Sequence, residues 1–277
     1  MRLWGRAYGL GMASPAPVIV KLGGSVITRK REAARIRPKV LRRLAEELCE
    51  PGGPPLVVLH GAGSFGHPGA VRWRLASAPP SEGDPHRARG AAIVSAEVRR
   101  LHVAVLRELV DAGGRPVSVP VAGSARNHEG RLSQFDPDPF RRWLSAGFTP
   151  VSFGDVVLDD RWGTSILSAD SIALELASAL RAERVLFVSD VPGVLGPAIR
   201  GRRPVIPELT SELVRSLQPK VGAPDVTGGI RGKAEAMLAI AEKGTLAGLI
   251  SGLSDGALSR AVRGEAVYGS WAKAAAH

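Results

Sequence analysis

The chain has 277 residues, room for one large α/β domain or two small ones. Its hydrophobic fraction of 44% includes only 5% aromatic residues, which suits helices packed on a buried parallel sheet and argues against an aromatic-rich β-sandwich. The formal charge of +11 points to anionic partners, and the single cysteine, Cys49, excludes a disulfide framework or a cysteine-based metal site within one chain, as expected of a cytoplasmic protein.

In chain order, residues 1–14, with two arginines and no sustained apolar core, make a weak signal peptide and are expected to be a disordered or optional tail; Met12 is a second candidate start. No later run approaches the ~20 apolar residues of a membrane helix, so no membrane partner is expected. "PVIVKL" (17–22) reads as a buried strand. "PKVLRRLAEELCE" reads as a helix with Val40, Leu41, Leu44 and Leu48 on one face, and "PLVVLH" (55–60) as a second buried strand. "HGAGSFGHPGA" (60–70) buries no apolar surface and predicts a loop rather than a helix. After the loop "SAPPSEGDPHRARG", a long helix carries Val94, Val98, Leu101 and Val105 at helical spacing. "GGRPVSVPVA" returns a strand, and "DPFRRWLSAG" a helix closed by Gly147. "TPVSFGDVVLD" reads as one further strand, with "DDRWG" a hairpin turn. "SADSIALELASAL" is a helix, "RVLFVSDVPGVL" a strand and loop, "GGIRGKAEAMLAIAEKG" a helix, and "LAGLISG" with the tail closes the chain. This alternation predicts a three-layer αβα sandwich with a mostly parallel central sheet. One domain is expected over residues 15–277, in two lobes, 15–165 and 166–277.

Three glycine-rich turns fall where ligands of open α/β sheets collect, at the carboxyl ends of strands: "KLGGS" (21–25), "HGAGSFGH" (60–67) and "DVTGGIRGK" (225–233). Glycine lets a backbone approach an oxyanion, and a helix starting behind it adds the positive end of its dipole. Three such turns in one chain, two of them with a lysine, point to phosphate binding. Only seven of the 37 basic residues are lysine, so Lys21, Lys30 and Lys233 stand out as positions that need a compact ammonium. Two motif matches fail. "GAGSFG" fits the dinucleotide fingerprint but lacks the acidic residue some 20 positions on, because Glu82 and Asp84 fall in a proline-rich loop. "GGIRGK" is one residue short of a Walker A loop, and alanine follows its lysine. Clustered Arg/Lys with interleaved aromatics is lacking, so no nucleic-acid partner is expected. His60, ending a buried strand, is expected to make a structural hydrogen bond. His86, His102, His128 and His277 show no metal-ligand spacing, and no carboxylate cluster dedicated to a metal is visible.

In order, "VIVKLGGSVITRK", "VVLHGAGSFGHP", "RGAAIVSAEVRRLHVAVLRELVDAGGRPVSVP", "PVSFGDVVLDD", "SADSIALELA", "VLFVSDVPGVL" and "DVTGGIRGKAEAM" resemble the amino acid kinase family. The likeness runs from residue 17 to about 253. "ITRK" with "GSFGHP" is its specific part and resembles the branch acting on isopentenyl phosphate. The resemblance implies ATP-dependent phosphorylation of isopentenyl phosphate to isopentenyl diphosphate, with dimethylallyl phosphate as a second acceptor. It implies an acceptor lobe followed by an ATP lobe, Mg²⁺ carried in on ATP, and a homodimer. It implies that Lys21 reaches the transferring phosphoryl group, Lys233 approaches from the other lobe, and Lys30 contacts ATP phosphates through a mobile hairpin. Gly23, Gly24 and Ser25 would donate hydrogen bonds to the transferred group, and Asp170 would orient the two clamp lysines. His67 would hold the acceptor phosphate, with Ala62, Gly63 and Gly154 lining its site. Ser189, Asp190, Gly193 and Gly229 would border the nucleotide, with Asp225, Thr227 and Gly228 along its phosphates or capping the helix. A phosphate monoester is mostly dianionic near pH 7, so no general base is needed, only a donor that holds the attacking oxygen.

Ala62 replaces a third glycine of the family pattern and must therefore avoid positive φ. "SAD" and "SDVPG" depart from the branch's commoner "SGD" and "TDVDG" and look more like acetylglutamate kinases. The long helix offers Ile93, Val94, Ala96 and Ala104 as a wall for an apolar tail. The alternatives are a kinase for a phosphonate such as fosfomycin or for an acylamino acid and, outside the class, a nicotinamide-dependent oxidoreductase.

Overall fold

The computed structural model describes residues 15–30, 32–79, 84–198, 203–217 and 229–273. The expected tail (1–14) and the expected nucleotide-side residues Asp225, Thr227 and Gly228 lie outside them. The elements follow in order: β1 (Val18–Leu22), α1 (Gly24–Ile27), α2 (Pro38–Leu48), β2 (Leu56–His60), α3 (Gly63–Arg72), α4 (Pro85–Asp111), β3 (Pro116–Ser118), β4 (Ala125–His128), β5 (Arg131–Phe135), α5 (Asp138–Ser145), β6 (Thr149–Phe153), β7 (Asp155–Asp159), β8 (Gly163–Leu167), α6 (Ala169–Ala179), β9 (Arg184–Ser189), α7 (Ser211–Ser216), α8 (Gly229–Glu242), β10 (Leu246–Ser251), α9 (Ala257–Val262) and β11 (Gly269–Ala272).

Seven strands form the main sheet in the order β11-β10-β9-β1-β2-β6-β3. Every pairing is parallel except that of β11, which closes the edge antiparallel to β10. Strand alternation sends successive side chains to opposite faces. Ile19, Val57, Val185 and Leu249 pack under α5, α6 and α8, whereas Val18, Val20, Val58 and Leu186 pack under α2, α4 and α9. The result is the expected αβα sandwich, with the carboxyl ends of β1, β2, β6, β9 and β10 along one edge.

Several local expectations are corrected. "TPVSFGDVVLD" is two strands, β6 in the main sheet and β7 in a second sheet ordered β5-β4-β7-β8. The break falls at Gly154, whose N–H donates to the His60 carbonyl and where a Cβ would lie 3.1 Å from the Ala169 nitrogen. The hairpin β4–β5 went unforeseen, and "GGRPVSVPVA" contributes only a three-residue strand and a 3₁₀ turn. Helix α4 starts at Pro85, inside the expected loop, capped by Asp84, whose carboxylate accepts from the His86 N–H. The glycine-rich stretch is itself largely helical: α3 runs through it despite Pro68. Proline removes the bond that would end on the Ser64 carbonyl, but that oxygen instead accepts from the Ala34 N–H at 3.2 Å. Gly66 and Gly69 let α4 close in, since a Cβ there would meet Val98 at 2.9 Å and Val94 at 2.6 Å. Phe65 and Ala70, moreover, are buried.

Candidate active site

The loops after β1 and β2 meet backbone to backbone. A Cβ on Gly24 would lie 2.3 Å from the Gly63 nitrogen, and one on Gly61 would lie 2.9 Å from the Gly24 nitrogen. Gly63 adopts φ +51, a left-handed conformation that favours glycine. Ala62 sits at φ −72, meeting the requirement read from the sequence. Thr28, fully buried, stitches the two loops: its hydroxyl donates to the Gly24 carbonyl at 2.7 Å and accepts from the Ser64 N–H at 3.0 Å. Nothing in the sequence marked Thr28 except its place in "ITRK".

Two ammonium groups converge beside this junction. Lys21, in β1, lies with Nζ 2.7 Å from Asp170 Oδ1, and Lys233, in the second turn of α8, with Nζ 3.6 Å from Asp170 Oδ2. Lys233 also donates to the Gly229 carbonyl at 3.4 Å, and Gly229 opens α8 at φ +57. Asp170 occupies the first turn of α6, behind the Ser168 cap, where the helix dipole adds to its stabilisation. Burial pushes its pKa up, but Lys21 and Lys233 outweigh burial and hold it below the usual carboxylate range.

A second cluster forms at the end of β9. Asp190 accepts from the Ser25 hydroxyl at 2.6 Å and pairs with Lys30 at 2.8 Å. Its pKa too is held low, with Lys30 and Ser25 overcoming burial. Lys30 rides on a fold-back whose feet are joined by the Arg29 N–H to the Arg35 carbonyl and the Arg37 N–H to the Ile27 carbonyl. Because Leu22 pairs with Val188 across β1 and β9, the two clusters sit side by side at one sheet edge.

The expected residues thus come together in groups. Lys21, Lys233, Asp170 and Gly229 share one; Lys30, Ser25 and Asp190 share the other, with Ser189 beside them, its hydroxyl 3.4 Å from Asp190. His67 lies four residues after Gly63 in α3, on the same helical face, and is half-buried. Gly154 is tied to His60 at the root of the second loop. Three expectations change. The Gly23 N–H donates to the Val188 carbonyl at 2.7 Å, and the Ser25 hydroxyl to Asp190, so both groups are engaged within the chain. Gly193 is a packing position, where a Cβ would strike Val205 at 2.6 Å and Ser270 at 2.7 Å. The proposed wall on α4 divides, because Val94 faces the core while Ile93 and Ala96 are exposed.

Sequence reading also missed the ion pair between Asp155, fully buried, and Arg99, joined by two hydrogen bonds at 3.1 and 2.8 Å. Behind the second loop lies an apolar cluster of Ala70, Leu75, Ala91, Val94, Val98 and Phe153, with Ala62, Trp73, Val156 and Ile166 packed against it. Among the described residues no group of three or more His, Cys, Asp or Glu side chains gathers as a metal would require, and no helix is long and apolar enough to cross a membrane.

Comparison with known proteins agrees with this geometry. The model of the amino acid kinase family matches residues 16–250. The isopentenyl phosphate kinase of Methanothermobacter thermautotrophicus is 37% identical over 260 residues, covering 91% of this chain and 97% of the relative. That of Thermoplasma acidophilum is 35% identical over 228 residues, covering 80% and 85%. A crystal structure of an isopentenyl phosphate kinase superposes with a TM-score of 0.82 at 33% identity, covering 93% of this chain and all of the other.

Proposed function

The chain belongs to the amino acid kinase family, and from that premise we propose that it transfers the γ-phosphoryl group of ATP to isopentenyl phosphate, giving isopentenyl diphosphate and ADP. The observation that carries the reading is the pair of ammonium groups gathered on Asp170 beside the junction of two glycine loops. Phosphoryl transfer asks for positioning and charge neutralisation rather than covalent help. In the proposed reaction an oxygen of the acceptor phosphate attacks the γ-phosphorus and forms a new P–O bond. The bond to the β,γ-bridging oxygen breaks, and ADP leaves with the electron pair. Lys21 and Lys233 neutralise charge that spreads over the transferring group, and Lys30, turning from Asp190, reaches the ATP phosphates. Asp170 keeps the two clamp lysines aimed. His67 donates to the acceptor phosphate, with Ala62, Gly63 and Gly154 around it. Gly24, Ser189, Asp190 and Gly229 border the nucleotide.

With Asp170 and Asp190 both engaged by lysines, Mg²⁺ is proposed to enter on ATP and to neutralise charge on its phosphate oxygens. An acceptor with a five-carbon apolar tail is supported by the apolar cluster behind the second loop, whose neighbouring charges, Arg99 and Asp155, are already paired with each other. Dimethylallyl phosphate is proposed as a second acceptor, the two halves as acceptor and ATP lobes, and the working unit as a cytoplasmic homodimer.

The test is ATP consumption with Mg²⁺ against isopentenyl phosphate, dimethylallyl phosphate, fosfomycin, N-acetylglutamate and UMP, with His67→Ala alongside. Turnover of the isoprenoid phosphates, lost in His67→Ala, is expected. Turnover of another acceptor alone would overturn the substrate, and absence of transfer to any of them would overturn the activity.

A further inference from the structure

Beneath the second glycine loop lies a buried polar chain that the proposed chemistry does not use. His60, at the carboxyl end of β2 and fully buried, has Nε2 3.0 Å from His102 Nδ1, and His102 Nε2 lies 2.7 Å from the Ser118 hydroxyl. On its other side, His60 Nδ1 lies 3.2 Å from the Gly61 carbonyl oxygen. Phe153 packs on both imidazoles, with ring centroids 5.4 Å from His60 and 4.4 Å from His102. Burial lowers both imidazole pKa values, to about 3 for His60 and about 4 for His102, so both rings are neutral near pH 7.

With neutral rings a single proton arrangement serves all three contacts. The Gly61 carbonyl can only accept, so the His60 proton is on Nδ1. His60 Nε2 is then a lone pair, which accepts from His102 Nδ1–H. His102 Nε2 is in turn a lone pair, which accepts from the Ser118 hydroxyl. The Gly61 carbonyl therefore sets the direction of the whole chain, and the Ser118 hydroxyl completes it as the donor to His102.

We propose that His60 is a positioning residue that locks the Gly61–Ala62 peptide with its carbonyl turned into the core and its N–H turned outward to the acceptor phosphate. The trans peptide is planar, so pinning the Gly61 oxygen toward the imidazole aims the Ala62 N–H the opposite way, out from the carboxyl edge of the sheet. A lock is needed because Gly61 resists rotation of this peptide only weakly, and it has to be glycine since a Cβ would meet the Gly24 nitrogen at 2.9 Å. The flipped peptide would turn a carbonyl oxygen toward a dianion. The inference rests on the reading of this loop as the acceptor-phosphate site.

The test separates the two Michaelis constants and adds a readout independent of turnover. In His60→Leu the donor is lost, and the KM for isopentenyl phosphate is expected to rise about 10- to 100-fold, the range of a hydrogen bond to a charged group, with the KM for ATP within about twofold. In His60→Asn, whose amide can replace Nδ1–H, most of the rise is expected to be reversed. Ser118→Ala leaves the His102 Nε2 lone pair without its donor, weakening the chain that holds His60, and is expected to raise the acceptor KM several-fold without disturbing the core, which serves if His60→Leu does not fold. In ¹⁵N-labelled protein titrated with isopentenyl phosphate, the Ala62 amide resonance is expected to shift in wild type and His60→Asn and to stay still in His60→Leu. If both Michaelis constants move together in step with lost thermal stability, or if Ala62 does not respond in wild type, the lock is overturned. A wild type whose Ala62 responds but which transfers no phosphoryl group overturns the proposed activity and leaves the lock standing.

Discussion

Replacing Asp170 by asparagine keeps the shape of the clamp and removes its one negative charge. Lys21 and Lys233, with side chains only 6% and 17% exposed, then face each other across a neutral amide. At an effective dielectric of about 20, a pair at 2.7 Å attracts by about 6 kcal/mol and one at 3.6 Å by about 5 kcal/mol. These are gross attractions, reduced by several kcal/mol for each ion taken from water, and breaking a buried pair by deleting one partner typically costs about 3–5 kcal/mol. For a domain of this size that lowers the unfolding midpoint by about 6–20 °C.

ATP should oppose the loss, since its phosphates bring negative charge back to the two ammonium groups. The gain in midpoint on adding ATP is therefore expected to be larger in Asp170→Asn than in wild type. The kcat is expected to fall by about 10²- to 10³-fold, the scale of losing a preorganised electrostatic contact. In a double-mutant cycle, Lys21→Met combined with Asp170→Asn should destabilise less than the two single changes together. Differential scanning fluorimetry with and without nucleotide, and steady-state rates, measure all of this. A variant whose midpoint stays within about 2 °C of wild type, well below the expected shift, and which keeps its kcat would refute the clamp as the organising charge. The acid dependence has a fixed sign as well. Asp170 has a lowered pKa, so its contribution is present above about pH 4 and is lost as pH falls through the folded value.

The buried imidazoles predict a second pH dependence. With folded values of about 3 and about 4 against an ordinary value near 6.5, each ring takes up its proton later on acidification in the folded protein than in the unfolded chain. Stability should therefore fall below about pH 6.5, by about 2 kcal/mol per ring at pH 5 relative to pH 7, and His60→Asn should remove roughly half of that difference. A parallel shift of both midpoints would contradict it. Gly24→Ala places a Cβ 2.3 Å from the Gly63 nitrogen and must part the two loops, at a cost of about 1–3 kcal/mol and most of the activity. Gly53→Ala, where the nearest atom is 3.5 Å away, is the control and should change neither chemical-denaturation midpoint nor rate. Glu47 caps α9, accepting from the Gly256, Leu258 and Ser259 N–H groups, so Glu47→Ala should lose about 2–3 kcal/mol in urea unfolding while the folded fraction keeps its KM values.

What was legible in the sequence follows from what local pattern encodes. The buried strands announced themselves as apolar runs, and α6 as the helical stretch "SADSIALELASAL". Lys21, Lys30 and Lys233 stood out in an arginine-rich chain, whereas Asp170 entered only through the resemblance that "SAD" carries. The structural role expected of His60 is met by its bond to His102. The unread features depend on partners distant in sequence. Helix α3 survives Pro68 because Ala34, thirty-four residues earlier, supplies the donor that proline lacks. The break between β6 and β7 depends on the approach of α6 to Gly154. Asp190 looked like a nucleotide-side carboxylate, and only the fold reveals Ser25 and Lys30 upon it.

The glycines carry the most instructive mixture. Read along the chain, three glycine-rich turns at strand ends mean backbone amides facing an anion. In space, Gly23 gives its N–H to Val188, and Gly24, Gly61 and Gly63 are small because their backbones press on one another. The glycine pattern thus reports first how closely two loops must approach. That approach brings the charge-bearing groups to a common edge: Lys21 and Lys30 lead from the first loop, and His67 follows one helical turn after Gly63 in the second. The same logic explains why alanine stands at position 62 within a glycine loop. Its φ of −72 is ordinary, and a Cβ on Gly66 would lie 2.5 Å from the Ala62 side chain, so the methyl group fills space that Gly66 leaves open. A departure from the family pattern at Ala62 thus leaves the two loops in contact, whereas the same methyl group at Gly24 would part them.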